Sequence, residues 1–161
     1  MRDKILALLE KNSRLTVAEI ARQLDLTEEM VAAEIGAMED EKIICGYHTL
    51  INWDKTGEEY VTALIEVKVT PQRGNGFDKI AERIYRFDEV KAVYLMSGGF
   101  DLTVIIDGKN IKEIAFFVSD KLSPIDAVIS TATHFVLKKY KDHGVILDKD
   151  RQRGERMIVS P

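Results

Sequence analysis

Apolar residues recur at helical spacing through the first forty positions and then switch to strict alternation, so two kinds of architecture follow one another along the chain. Ile5, Leu8 and Leu9 share one helical stripe that stops near Asn12-Ser13. Thr16-Val17-Ala18-Glu19 has the form of a capping box, in which hydroxyl and carboxylate each satisfy a backbone N–H at a helix start. Val17, Ile20, Ala21 and Leu24 then share a face, and Asp25-Leu26 makes a short connection. Thr27 is an N-cap, Glu28-Glu29 suit the positive end of a third helix, and Val31, Ile35 and Met38 line its inner side. The segment from Lys42 to Ile51 reads as a small β-hairpin. Three helices and a hairpin in this order predict a winged helix-turn-helix over residues 1–51.

Residues 52–60 are polar, include Gly57 and are expected to link two domains. From Val61 the period becomes two: Val61, Ala63, Ile65, Val67 and Val69 alternate as a half-buried strand does. Pro71 to Gly76 is a loop, and Phe77, Ile80, Ile84 and Phe87 return to helical spacing. Two strands flank Ser97-Gly98-Gly99, whose glycine pair fits the left-handed positions of a primed hairpin turn. Asn110 caps a helix expected to turn Ile111, Ile114, Val118 and Leu122 inward, and Ala127 to Leu137 alternates again. The order βαββαβ over residues 61–142 is that of a ferredoxin-like sandwich, with residues 143–161 as a tail. The fold class is therefore α+β. The uncovered sheet face, expected to carry Leu64, Val93, Leu95, Ile105, Val128 and Val136, favours self-association into a dimer.

Composition removes other classes. With 45% apolar residues, 31% charged residues and a net charge of −4, the chain is globular rather than disordered. No run of about 20 apolar residues offers a membrane span, and no secretory segment opens the chain, so a cytoplasmic protein without membrane contact is expected. Cys45 is alone and reads as a small hydrophobe; His48, His134 and His143 are too scattered for a metal site. No phosphate-loop, dinucleotide-binding or nucleophile-elbow motif is present, so neither an enzyme nor a cofactor is expected.

Three stretches in register resemble the Lrp/AsnC, or feast/famine, family of transcription regulators. They are Leu26-Thr27 through Gly46-Tyr47, Tyr94 through Leu102, and Val128 through Thr133, and the likeness spans about residues 3–142. The resemblance implies binding to double-stranded DNA through the third helix and assembly as dimers, often a ring of four. It also implies a small effector, usually an amino acid, at contacts between dimers. Carried onto this chain, the effector site is Ser97, Gly98, Gly99, Asp101, Thr131 and Thr133. Glycine lets backbone N–H groups approach a carboxylate, Asp101 can accept from an ammonium, and the threonines offer hydroxyls. The DNA-facing residues are Arg14, Arg22, Thr27, Met30 and Glu34. Sirohaem decarboxylases share the two-domain plan, but Gly98-Gly99-Phe100 at the matching turn argues against that activity.

The chain departs from the family pattern in charge. Its third helix, Thr27 to Glu41, holds six acidic residues and no basic one, and Glu34 is expected to face outward at the point where the family places Arg or Lys. Phosphate repels carboxylate, so an oligomeric ligand-binding protein with degenerate DNA binding is the alternative reading. The basic stretches Lys138-Lys139-Tyr140-Lys141 and Arg151-Gln152-Arg153 could offset that charge, and Met157-Ile158-Val159 is expected to form a last short strand or a packing contact.

Overall fold

A computed structural model describes residues 1–147 apart from Gln72 and Asn75. The chain divides into two units between Leu50 and Ile51. In the first, α1 (Arg2–Lys11), α2 (Val17–Leu24) and α3 (Glu28–Asp40) enclose a core of Ile5, Ile20, Ala21, Val31 and Met38. Both expected caps form. Thr16 Oγ1 accepts from the Glu19 N–H while Glu19 accepts from the Thr16 N–H, and Thr27 Oγ1 accepts from the Met30 N–H. Asp25 closes α2 in the left-handed region at φ +56°, which sets the tight turn into α3. Gly36 sits inside α3 with no atom within 4 Å of where a Cβ would stand. Gly36→Ala should therefore stabilise the unit by about 0.5–1 kcal/mol in chemical denaturation, by restricting the unfolded backbone.

The expected β-hairpin after α3 is absent: no strand forms between residues 42 and 51. Lys42 enters the left-handed region at φ +59°, and the Ile43 and Ile44 N–H groups both donate to the Met38 carbonyl, at 2.9 and 3.0 Å. Donors used to finish a helix are lost to a strand pair. Cys45 is exposed rather than packed as a hydrophobe, and its Sγ contacts the Lys42 carbonyl oxygen at 3.1 Å.

The second unit has the ferredoxin-like layout. Its strands β1 (Val61–Val69), β2 (Val90–Leu95), β3 (Leu102–Gly108) and β4 (Val128–Phe135) lie in the order β2-β3-β1-β4, with every neighbour antiparallel. Helices α4 (Asp78–Tyr85) and α5 (Ile111–Phe117) supply Ile80, Ile84, Ile114 and Phe117 to a core that also buries Ala63, Ile65, Val67, Leu102, Val104 and Ile106. Asn110 caps α5 through the Glu113 N–H, as expected, yet Ile111 is exposed. A π-type turn over Val118–Leu122 widens the helix by one residue per turn there, which brings Phe117 and Leu122 inward together.

Two irregularities change which residues share a face. The register shifts between Val90 and Ala92 and between Lys68 and Val69, and each shift reverses the alternation beyond it. Val93, Leu95 and Val128 consequently stand opposite Val104, Leu102 and Val69 on the helix-covered side, not on the open face. The open face instead carries the rows Ala92–Ile105–Leu64–His134 and Tyr94–Thr103–Glu66–Ala132. Beyond β4, strands β5 (Lys141–Asp142) and β6 (Val145–Ile146) form a short hairpin. Residues 148–161, with Arg151, Arg153 and the expected strand at Met157-Ile158-Val159, lie outside the described residues.

Candidate functional site

The DNA-side candidates fall into two groups. Arg14, in the turn between α1 and α2, and Arg22, in the last turn of α2, are exposed; Thr27 and Met30 open α3, and Met30 is 45% exposed. Glu34 differs. Instead of standing free on the outer surface, it accepts from Arg2 Nε at 2.7 Å and is half-buried. The same guanidinium grips Glu41 with both terminal nitrogens, at 2.7 and 2.9 Å. Arg2 therefore spans from the start of α1 to the middle and end of α3.

The other carboxylates of α3 are partly occupied as well. Glu39 accepts from the Tyr47 hydroxyl at 2.8 Å, and partial burial followed by that carboxylate pushes the Tyr47 phenol above its ordinary range. Backbone and Thr27 hydroxyl hydrogen bonds at the helix start hold Glu29 below the usual carboxylate range. Glu41 is also lowered, chiefly by its hydrogen bond from Arg2. A carboxyl whose folded value is depressed adds stability above its unfolded value, and that contribution is lost as pH falls through the folded value. Acid titration of the first unit should thus show a loss of stability starting below the ordinary value of 4.5, and Arg2→Gln should flatten it.

In the second unit the loop 96–101 joins β2 to β3 and is closed by the Met96 N–H donating to the Asp101 carbonyl at 2.8 Å. It is longer than the two-residue turn the glycine pair suggests, because only Gly98 adopts positive φ, at +123°. Ser97, Gly98 and Gly99 are exposed. Asp101 is bound into the sheet: its N–H donates to the Val67 carbonyl, and its Oδ2 accepts from the Val69 N–H at 2.9 Å. Thr131 faces Val67 and Thr133 faces Ile65 across β1 and β4, both half-buried. Leu102, Val67 and Thr131 form one cross-sheet row, so the loop and β4 lie two strand spacings apart, about 10 Å, at one end of the sheet.

A second polar cluster escaped the sequence reading. On the open face Tyr60 and Thr62 hydroxyls both donate to Asp107, the latter at 2.8 Å, and burial raises the Tyr60 phenol well above its usual range. Trp53, in a 3₁₀ turn over Trp53–Lys55, stacks on Tyr60 with ring centroids 5.0 Å apart. Asn52 Nδ2 donates to the Leu147 carbonyl, so the segment expected to be a linker is folded onto the second unit. Asn52, Trp53, Tyr60, Thr62 and Leu147, with Val136, Lys138 and Lys139, line a narrow crevice. The signal for them was the isolated aromatic pair in a polar stretch, which periodicity does not weigh. Among the described residues no group of His, Cys, Asp or Glu is placed to hold a metal, and no helix is long and apolar enough to cross a membrane.

A small helical unit with a capped, exposed third helix, followed by an α+β sandwich with an exposed glycine loop, defines a two-domain transcription regulator. Known proteins agree. The Lrp/AsnC ligand binding domain matches residues 62–146, and a winged helix-turn-helix DNA-binding domain matches residues 3–44. The uncharacterized HTH-type transcriptional regulator YugG of Bacillus subtilis is 50% identical over 159 residues, covering 98% of this chain and 95% of that protein. The HTH-type transcriptional regulator LrpA of Pyrococcus horikoshii is 33% identical over 141 residues, 87% of this chain and 97% of LrpA. The fold also superposes on transcriptional regulator NMB0573 of Neisseria meningitidis, solved with L-Met, at a TM-score of 0.71 and 23% identity over 88% of this chain and 91% of that one. The chain belongs to the Lrp/AsnC family. It is a transcriptional regulator with a DNA-binding and a ligand-binding domain, and not an enzyme.

Proposed function

We propose that this regulator binds double-stranded DNA in the cytoplasm as a dimer or a ring of four dimers, and that an amino acid held between dimers sets its affinity for DNA. The observation that carries the reading is the loop 96–101: exposed glycine backbone, with Gly98 at positive φ, next to a carboxylate fixed in the sheet. A free amino acid has the two charges this combination suits, a carboxylate for the N–H groups and an ammonium for Asp101. Ser97, Gly98, Gly99, Asp101, Thr131 and Thr133 are the proposed effector residues. They lie at the edge of one chain, which suits a pocket completed by a second copy. The L-Met complex of NMB0573 supports an amino acid as the ligand class.

On the DNA side Arg14, Arg22, Thr27 and Met30 are proposed to meet the duplex, with Glu34 close by. Effector and DNA must change each other's affinity by the same factor. The absence of any basic residue from α3 favours one second reading, a ligand-binding assembly that no longer holds DNA. A mobility shift with the chain's own upstream region at low salt, with and without each of the twenty amino acids, separates the two. Retardation that one amino acid alters supports the regulator; no retardation under any condition supports the second reading. Thr131→Val should weaken effector binding in calorimetry while the protein stays folded, and an unchanged affinity would remove Thr131 from the site.

A further inference from the structure

A helix with five carboxylates, a sixth at its C-cap Glu41 and no cation is a poor partner for a duplex that carries one charge per ~1.7 Å. The chain meets that difficulty from outside the helix. Arg2 lies 32 residues before Glu34 and 39 before Glu41 in sequence, yet three of its nitrogens engage both. The paired grip on Glu41 and the separate Nε contact to Glu34 use the planar fork of a guanidinium, which the point charge of a lysine does not reproduce. Glu28 and Glu29 at the start of α3 and Asp40 at its end stay exposed, but between them the exposed residues are Met30, Ala32 and Ala33, none of them charged.

We infer that Arg2 is a positioning residue for DNA binding: by holding Glu34 and Glu41 against α1 it cancels part of their charge and keeps their carboxylates from swinging toward phosphate. It touches no base itself. The pair is partly exposed, with side-chain accessibilities of 38% for Arg2, 26% for Glu34 and 49% for Glu41, so its effect on folding is screened by water. Its effect on a polyanion is a smaller local negative charge, one guanidinium set against two carboxylates, and is read in binding. The inference rests on the proposal that α3 faces DNA.

The experiment compares full-length wild type, Arg2→Gln, Arg2→Lys and the triple variant Arg2→Gln/Glu34→Gln/Glu41→Gln. Each is titrated against the upstream duplex by fluorescence anisotropy at several salt concentrations, with thermal unfolding in parallel. Arg2→Gln should weaken binding about tenfold at low salt, with a deficit that shrinks as salt rises. Arg2→Lys should recover part of it. The triple variant, which has neither cation nor carboxylates, should bind as tightly as wild type or tighter. A merely structural clamp behaves otherwise: affinity would follow melting temperature, and the triple variant would stay weak. Equal binding by wild type and Arg2→Gln, or no recovery in the triple variant, overturns the role of Arg2 alone. A wild type that binds no duplex at any salt overturns the DNA-facing reading of α3, and this inference with it.

Discussion

Ile20→Ala is expected to abolish DNA binding while the effector-binding unit stays folded. Ile20 is fully buried in a core of only five such residues, and that core is separate from the one beneath the sheet. Truncating a buried isoleucine costs about 2–5 kcal/mol, through lost transfer energy and the cavity left behind. A unit of some fifty residues buries a smaller share of its surface than a larger domain does and has few kcal/mol to lose. Differential scanning calorimetry should show the transition of the first unit falling by tens of degrees while that of the second moves little. A single transition that shifts as a whole would mean that the two cores melt together, against the division at Leu50 and Ile51.

Gly98→Val is expected to remove the response to the effector. At φ +123° an L side chain is strained, most of all a β-branched one, and holding such a residue there costs about 1–3 kcal/mol. Space is not the obstacle, since no atom lies within 4 Å of a Cβ built at Gly98. The variant should relieve the strain by refolding the loop, which displaces the N–H groups proposed to meet a carboxylate. Gly99 is the internal control. It has no positive φ and equal room, so Gly99→Ala should leave stability nearly unchanged. Calorimetric titration with the amino acid that most raises the melting temperature checks Gly98→Val, and thermal unfolding checks Gly99→Ala. Effector binding by Gly98→Val at the wild-type affinity would take the loop out of the site.

The helices of the first unit and the order of elements in the second were legible because both rest on local rules. Thr16 and Glu19 announce a capping box in four residues, and the alternation of Val61 through Val69 states which side is buried. What was misread depends on longer-range competition. The Ile43-Ile44 pair reads as strand, but the Met38 carbonyl captures both N–H groups. Val93 and Leu95 read as open-face residues because a bulge leaves no mark in hydropathy. Glu34 read as an exposed carboxylate because nothing in α3 names its partner, which sits at the other end of the unit. For the proposed effector site, the glycine conformation was foreseeable at Gly98 and not at Gly99; the sheet role of Asp101 needed the fold.

The stacking of Trp53 on Tyr60 gives the molecule a built-in reporter. The chain has one tryptophan, and it is stacked on Tyr60 of the second unit, so its emission follows the melting of that unit. A fluorescence trace and a circular dichroism trace of the same sample should therefore disagree at the temperature where only the helices unfold. That disagreement offers a label-free way to tell which half a given variant has damaged.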